Sequence, residues 1–236
     1  MPSQAVRRIS LRWLPDPAFE DTDTVALNVG GYFVDLRVTK DTGAIQWSRA
    51  GERIVLKEVP RKFGFQRPCR DSRLPINQAG LVATFRWTHI IDSLDLTVPD
   101  DAHFVKLPNG DDLEVGTTPA PHLNNVPTDY EEVWRDITDK SPEELSWILE
   151  SSDRTTFIGK VGCIFLAIQK TTEAFSARRE DRQAGVWKIT FNSGITGLPS
   201  AYQAIEAIES KNNSWAVGQS VTIGGVEFIF RAVSKE

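Results

Sequence analysis

The sequence predicts a mainly β protein built as one or two small antiparallel barrels. Three observations predict it: side chains that alternate with a period of two over several segments, glycine-rich dipeptides where hairpins would reverse, and too few helical stretches to cover a sheet. Antiparallel strands without a helical layer must hide their edges, and closure into a barrel does so most simply. A barrel of about eight strands has an interior filled by side chains or able to hold one small ligand.

Taken in chain order, Gly31–Val38 places Tyr32, Val34, Leu36 and Val38 on one face and Phe33, Asp35 and Arg37 on the other. Leu81–His89 sets Leu81, Ala83, Phe85, Trp87 and His89 against Val82, Thr84, Arg86 and Thr88. Val186–Phe191 groups Trp187, Ile189 and Phe191, with Lys188 and Thr190 opposite. Near the end, Val226, Phe228, Phe230 and Ala232 oppose Glu227, Ile229, Arg231 and Val233. Such runs of β-branched and aromatic residues suit sheets with two unlike faces. Gly30-Gly31, Asp41-Thr42-Gly43, Asn109-Gly110 and Gly224-Gly225 separate strand candidates as hairpin turns do, so neighbours are antiparallel.

Three short helices are expected. Thr128 or Asp129 would cap the segment Tyr130–Ile137, with Glu131 and Glu132 at its start. Ser141-Pro142-Glu143-Glu144 reads as a capping box with proline at the first helical position. Leu198–Ile208 carries Ala201, Ile205 and Ile208 at helical spacing and is the longest of the three. Two stretches lack regular pattern: a basic loop over Pro60–Gln78 around Cys69, and Leu107–Pro127 with four prolines.

Composition narrows the function classes. The 236 residues carry a net charge of −5, which argues against nucleic acid as the main partner. The longest apolar run, Cys163–Ile168, is far short of the roughly 20 residues of a membrane span, and MPSQAVRRIS has no apolar stretch behind its arginines to act as a secretory signal. Two cysteines and three histidines, without ligand spacing, make a disulfide framework or a metal site improbable. Phosphate-cradling loops and the GxSxG nucleophile turn are absent, which removes nucleotide chemistry and an α/β-hydrolase triad. No cofactor is expected, and the chain reads as a soluble intracellular protein. The best boundary lies near Asp139–Pro142, dividing residues 1–139 from a smaller unit at 140–236.

Several phrases go beyond pattern. Gly31-Tyr32-Phe33-Val34-Asp35-Leu36-Arg37, Trp47-Ser48-Arg49-Ala50-Gly51, Arg86-Trp87-Thr88-His89-Ile90-Ile91-Asp92-Ser93 and Asp129-Tyr130-Glu131-Glu132-Val133-Trp134-Arg135-Asp136 occur in an order and spacing that resemble the fungal Hri protein family. Leu198-Pro199-Ser200-Ala201-Tyr202 and the hairpin from Gly218 to Val233 are similar too. The family takes its name from a yeast protein that binds a casein-kinase homologue. The resemblance implies a fungal source, two lipocalin-like (calycin) barrels in tandem, and a cytosolic or nuclear location. It supplies no catalytic residues. The chain departs from it at Trp47–Gly51, where the family often has Trp-Ala-x-Ala-Gly, so Arg49 is a point at which the site would differ.

Candidate site residues follow from ionisable groups on aromatic strands. His89, beside Trp87 and followed by Asp92, has the composition of a proton-transfer pair; alternatively it is a strand histidine, with Asp92 and Ser93 opening the next turn. Asp35 and Arg37 share a face with Phe33: inside a barrel they form a polar pair that needs partners, outside they are a solvated face. Trp134 is a packing anchor or a wall of a ligand site, and Trp47 is one of seven tryptophans that line pockets or fill cores. These residues support two functions. In the first, a barrel binds a hydrophobic small molecule, with His89, Asp92 and Asp35 as acid–base groups, Arg37 and Arg86 countering negative charge, and Phe33, Trp47, Trp87 and Trp134 as walls. Its enzymatic form is a cofactor-independent isomerase or cyclase, an analogy at the level of fold. In the second, the protein is an adaptor whose acidic segment from Asp129 to Glu144 engages a partner such as a protein kinase.

Overall fold

A computed structural model describes residues 2–59, 82–124, 126–141, 143–194, 197–210 and 214–235. The first nine strands are β1 (Gln4–Trp13), β2 (Thr22–Val29), β3 (Tyr32–Thr39), β4 (Ile45–Val59), β5 (Val82–Trp87), β6 (Ile91–Asp92), β7 (Asp100–Lys106), β8 (Asp112–Ala120) and β9 (Val126–Asp136). They pair in the order β3-β2-β1-β9-β8-β7-β5-β4, and a β3–β4 pairing closes the ring into an eight-stranded antiparallel barrel; the short β6 lies along β4. The second sheet comprises β10 (Leu145–Ser151), β11 (Thr156–Val161), β12 (Ile164–Lys170), β13 (Phe175–Gln183), β14 (Val186–Ser193), β15 (Ser220–Ile223) and β16 (Val226–Lys235). Its order is β14-β13-β12-β11-β10-β16-β15, with no pairing between the two end strands. Of the two barrels expected, the first is a closed one; the second unit is a seven-stranded antiparallel sheet whose end strands do not pair among the described residues, with one helix, α1 (Ala201–Glu209), packed on it.

Two apolar cores hold these parts. In one, Val25, Leu27, Val34 and Leu36 on the outside of the barrel meet Ile148, Phe157, Leu166 and Ile168 of the second sheet. In the other, Ala201, Ala204 and Ile208 of α1 pack on Trp147, Ile158, Phe165, Phe228 and Phe230 on the sheet's far side. The central strands β10, β11 and β12 are thus covered on both faces, which accounts for the continuous apolar run Cys163–Ile168. Strand β3 has the same property. Val34 and Leu36 face the second sheet and Phe33, Asp35 and Arg37 face the barrel interior, all buried.

The hairpin glycines sit where the turns need them: Gly30 and Gly31 have φ of 52° and 91°, and Gly224 and Gly225 have 60° and 86°. Of the three expected helices, one forms. Ser200 accepts from the Gln203 amide, and the Gln203 side chain accepts from the Ser200 amide, closing a capping box at the start of α1. The Tyr130–Ile137 segment belongs instead to β9, with Tyr130, Glu132 and Trp134 alternating inward. At the second expected helix, the Glu144 amide donates to the Ser141 carbonyl at 2.9 Å, and the described residues on either side of Pro142 are not helical. Much of the Leu107–Pro127 stretch is likewise strand β8, running to a rung where Pro119 faces Pro127.

Two expected faces are split by bulges. A shift between Arg179 and Glu180 in the β13–β14 register sends Trp187 toward α1 and Phe191 toward the barrel. A shift at Ile148/Leu149 likewise places Phe228 and Phe230 against α1 but Ala232 against the barrel. Cys69 and the basic loop lie outside the described residues. Among the described residues, no helix is long and apolar enough to cross a membrane.

Candidate functional site

The barrel interior carries more charge than a packed core tolerates without pairing. Asp35 on β3 and Arg49 on β4 are direct cross-strand partners, as are Arg37 and Trp47 two rungs further on. Arg37 donates through Nε to Asp35 Oδ2 at 3.1 Å and through Nη1 to Glu132 Oε1 at 3.0 Å. Arg8 from β1 reaches the same Glu132 oxygen at 2.6 Å and also donates to Glu20 at 2.8 Å. Burial alone would raise the Glu132 carboxyl, but Arg37 and Arg8 hold it below the usual range. Arg37 stays firmly protonated: burial opposes its charge, and Asp35 and Glu132 more than restore it.

Glu114 sits on the rung opposite Glu132. Tyr130 donates its hydroxyl to Oε1 at 2.8 Å, and Trp134 donates Nε1–H to Oε2 at 2.9 Å. Burial, followed by the neighbouring Glu132 charge, pushes its carboxyl up to about 7. Near one end of the interior, Phe33, Phe85 and Trp87 form an apolar cluster with Phe104 packed against it. The Arg53 guanidinium lies 3.8 Å from the centre of the Phe85 ring and 5.9 Å from those of Trp87 and Phe104. Burial lowers Arg53 to about 10, which leaves it charged at neutral pH.

His89 follows β5 and has a fully buried side chain. Its Nδ1 meets Asp92 Oδ2 at 2.7 Å and its Nε2 meets Asp100 Oδ2 at 3.2 Å. Asp92 also accepts from Trp47 Nε1 at 2.9 Å and from the Leu94 amide at 2.7 Å. Arg49 Nη1 joins the cluster through Asp100. Burial works against an imidazolium, yet the Asp100 and Asp92 hydrogen bonds hold the His89 pKa above its ordinary value. Both ring nitrogens are engaged within the cluster, Nδ1 by Asp92 and Nε2 by Asp100 and by Arg49 Nη1 at 3.3 Å, which leaves neither turned to the barrel cavity.

Between the charged rungs and the rings lies a cavity of about 60 Å³, lined among others by Phe33, Asp35, Arg49, Arg53, Glu114 and Trp134. Two buried atoms of its lining residues make no hydrogen bond within the protein: Asp35 Oδ1, an acceptor, and Arg49 Nε, a donor that stands 3.6 Å from Asp35 Oδ2 in an ion pair. Their side chains are only 4 % and 8 % exposed. Leaving a buried polar group unmatched costs roughly 1–3 kcal/mol, more when it is charged. That cost sets these two atoms apart from their satisfied neighbours.

The structure brings most of the sequence-derived candidates together in one barrel. Asp35, Arg37, Phe33, Trp47, Trp87 and Trp134 face its interior, and His89 and Asp92 form the clasp beside it. Arg86 does not join them: it is half exposed on the other face of β5, in a two-point ion pair with Asp101. Glu114, Arg53 and Arg8 carry no signal in the sequence as site residues, and Glu132 reads there as part of a helix start; a period of two along β9 places it inside. Among the described residues, no group of three or more His, Cys, Asp or Glu side chains could hold a metal ion.

Comparison with known proteins adds two findings. A family model described as Protein HRI1 matches residues 4–228. The crystal structure of the uncharacterized protein YLR301w from Saccharomyces cerevisiae is similar, with a TM-score of 0.68 and 14% identity over 98% of this chain and 99% of that one. At that identity the likeness concerns the fold. A search of curated proteins gave no match.

Proposed function

The chain belongs to the HRI1 protein family, and from that premise we propose that it binds a small molecule inside its closed first barrel. One observation carries the reading: a buried acceptor and a buried donor, Asp35 Oδ1 and Arg49 Nε, belong to cross-strand residues that line a cavity, and neither atom makes a hydrogen bond within the protein. Small-molecule sites are concave, mostly apolar, and fix orientation with a few convergent polar groups. Phe33, Trp87, Phe104 and Trp134 supply the apolar walls, so the ligand combines a hydrophobic body with a polar head.

An enzymatic form of this reading, a cofactor-independent isomerase or cyclase, would draw its proton from Glu114 rather than from His89. Glu114 lines the cavity and exchanges its proton near neutrality, whereas His89 is locked between two carboxylates. The adaptor reading gains little from the acidic segment. Glu132 is buried against Arg8 and Arg37, and Glu144 pairs with Lys160 and Arg182.

Native mass spectrometry after incubation with a host metabolite extract tests the proposal. The expected result is a stoichiometric adduct on the wild-type chain that leaves on denaturation and is weakened at least tenfold by Arg49→Gln. A bare protein mass at saturating extract, or an adduct indifferent to Arg49→Gln, would overturn it.

A further inference from the structure

We propose that the cavity recognises an uncharged carboxamide or lactam edge, whose N–H donates to Asp35 Oδ1 while its C=O accepts from Arg49 Nε–H. The inference rests on reading the cavity as a binding site and narrows the chemistry of what enters.

The two polar atoms require different partners. Asp35 uses Oδ2 to accept from Arg37, which leaves Oδ1 as an acceptor in need of a donor. Arg49 spends Nη1 on Asp100, close to His89, which leaves Nε–H as a donor in need of an acceptor. Because Asp35 and Arg49 are cross-strand partners, with Arg49 Nε 3.6 Å from Asp35 Oδ2, the vacant acceptor and donor stand side by side. A ligand that donates and accepts from adjacent atoms satisfies both.

Charge argues for a neutral group. A carboxylate or phosphate would find Arg49 but would be set against Asp35 and, when ionised, Glu114. An ammonium would find Asp35 but would be set against Arg49 and Arg53. A hydrocarbon would leave both polar atoms buried and unmatched. Only a neutral donor–acceptor pair avoids all three penalties. Size agrees, because one water needs roughly 10–15 Å³ of such space, so a cavity of about 60 Å³ suits a head group of a few heavy atoms. The surrounding Phe33, Trp87 and Trp134 rings suit a planar one.

The test uses the full-length protein and a set of small probes matched in size. Indole N–H signals of Trp87 and Trp134, both on the cavity wall, are followed by nitrogen-15 NMR. The titrants are 2-pyrrolidinone, N-methyl-2-pyrrolidinone, cyclopentanone, pyrrolidinium, butyrate and cyclopentene. The expected result is saturable shifts with 2-pyrrolidinone at least tenfold tighter than with any other probe. Equal or tighter binding of cyclopentanone, cyclopentene or either charged probe would overturn the amide edge while leaving small-molecule binding intact. No shift with any probe would leave water as the cavity's occupant and overturn both.

Discussion

Glu114 is the residue whose titration is felt by the whole fold. Burial and Glu132 raise its carboxyl from 4.5 to about 7 in the folded chain. A raised carboxyl binds its proton more tightly folded than unfolded, so its stabilisation is full below about 4.5 and is lost as pH climbs through 7. The wild-type protein should therefore lose about 2–3 kcal/mol between pH 4.5 and 8 that Glu114→Gln does not lose. Urea unfolding of both proteins across that range reads the difference directly. Glutamine keeps an acceptor for Trp134 Nε1 and offers an amide to the Tyr130 oxygen, so the variant should remain folded. His89, also raised, tilts stability the same way in both proteins and cancels in the comparison. At this scale the sequence was partly legible. Asp35, Arg37 and Phe33 stood out as one face of a strand, but alternation has no sign: it tells that two faces differ, not which looks inward. On β3 the apolar face of Val34 and Leu36 covers the core shared with the second sheet, which leaves Phe33, Asp35 and Arg37 to the barrel interior.

Among the elements, β9 shows how composition misleads. Paired glutamates after a threonine and an aspartate look like a helix start, yet Tyr130, Glu132 and Trp134 occupy alternate inward positions, each on a rung with a β8 residue. Gly116 stands opposite Tyr130, and a Cβ there would come within 2.7 Å of the tyrosine oxygen. The glycine makes room for the ring that supports Glu114. Gly116→Ala should push that ring aside, weaken its hydrogen bond to Glu114 and cost about 1–3 kcal/mol, visible as a lower urea midpoint and an altered near-ultraviolet tyrosine signal. Tight turns were legible because glycine pairs announce them chemically. The bulges within β14 and β16 were not, since an extra residue reverses the phase of everything after it and leaves no compositional trace.

At the scale of the molecule, the two sheets share a core instead of meeting across a linker. Apolar residues from the barrel's outer wall and from the second sheet form one buried cluster. Polar ties reinforce it: Lys170 on β12 donates to the Asp92 carbonyl at 2.6 Å, and Arg179 on β13 donates to Asp23 on β2 at 2.9 Å. Cooperativity is the expected outcome. Differential scanning calorimetry should show one transition whose calorimetric and van't Hoff enthalpies agree, while two resolved transitions would mean that the halves fold independently. The mainly β class and the closed first barrel were legible from hairpins and edges alone. The way α1 packs on the second sheet was not, because the helix reads as an incidental segment until its contact with Phe165 and Phe230 is known.

Strand β3 lies between the charged barrel interior and the apolar core that the barrel shares with the second sheet. An ordinary surface strand offers evolution every second position as neutral ground. This one offers almost none, so drift along Phe33, Val34, Asp35, Leu36 and Arg37 must be compensated on one side or the other. Constraint from the charged interior and constraint from the join between the halves therefore fall on the same five residues, and neither can be altered without consulting the other.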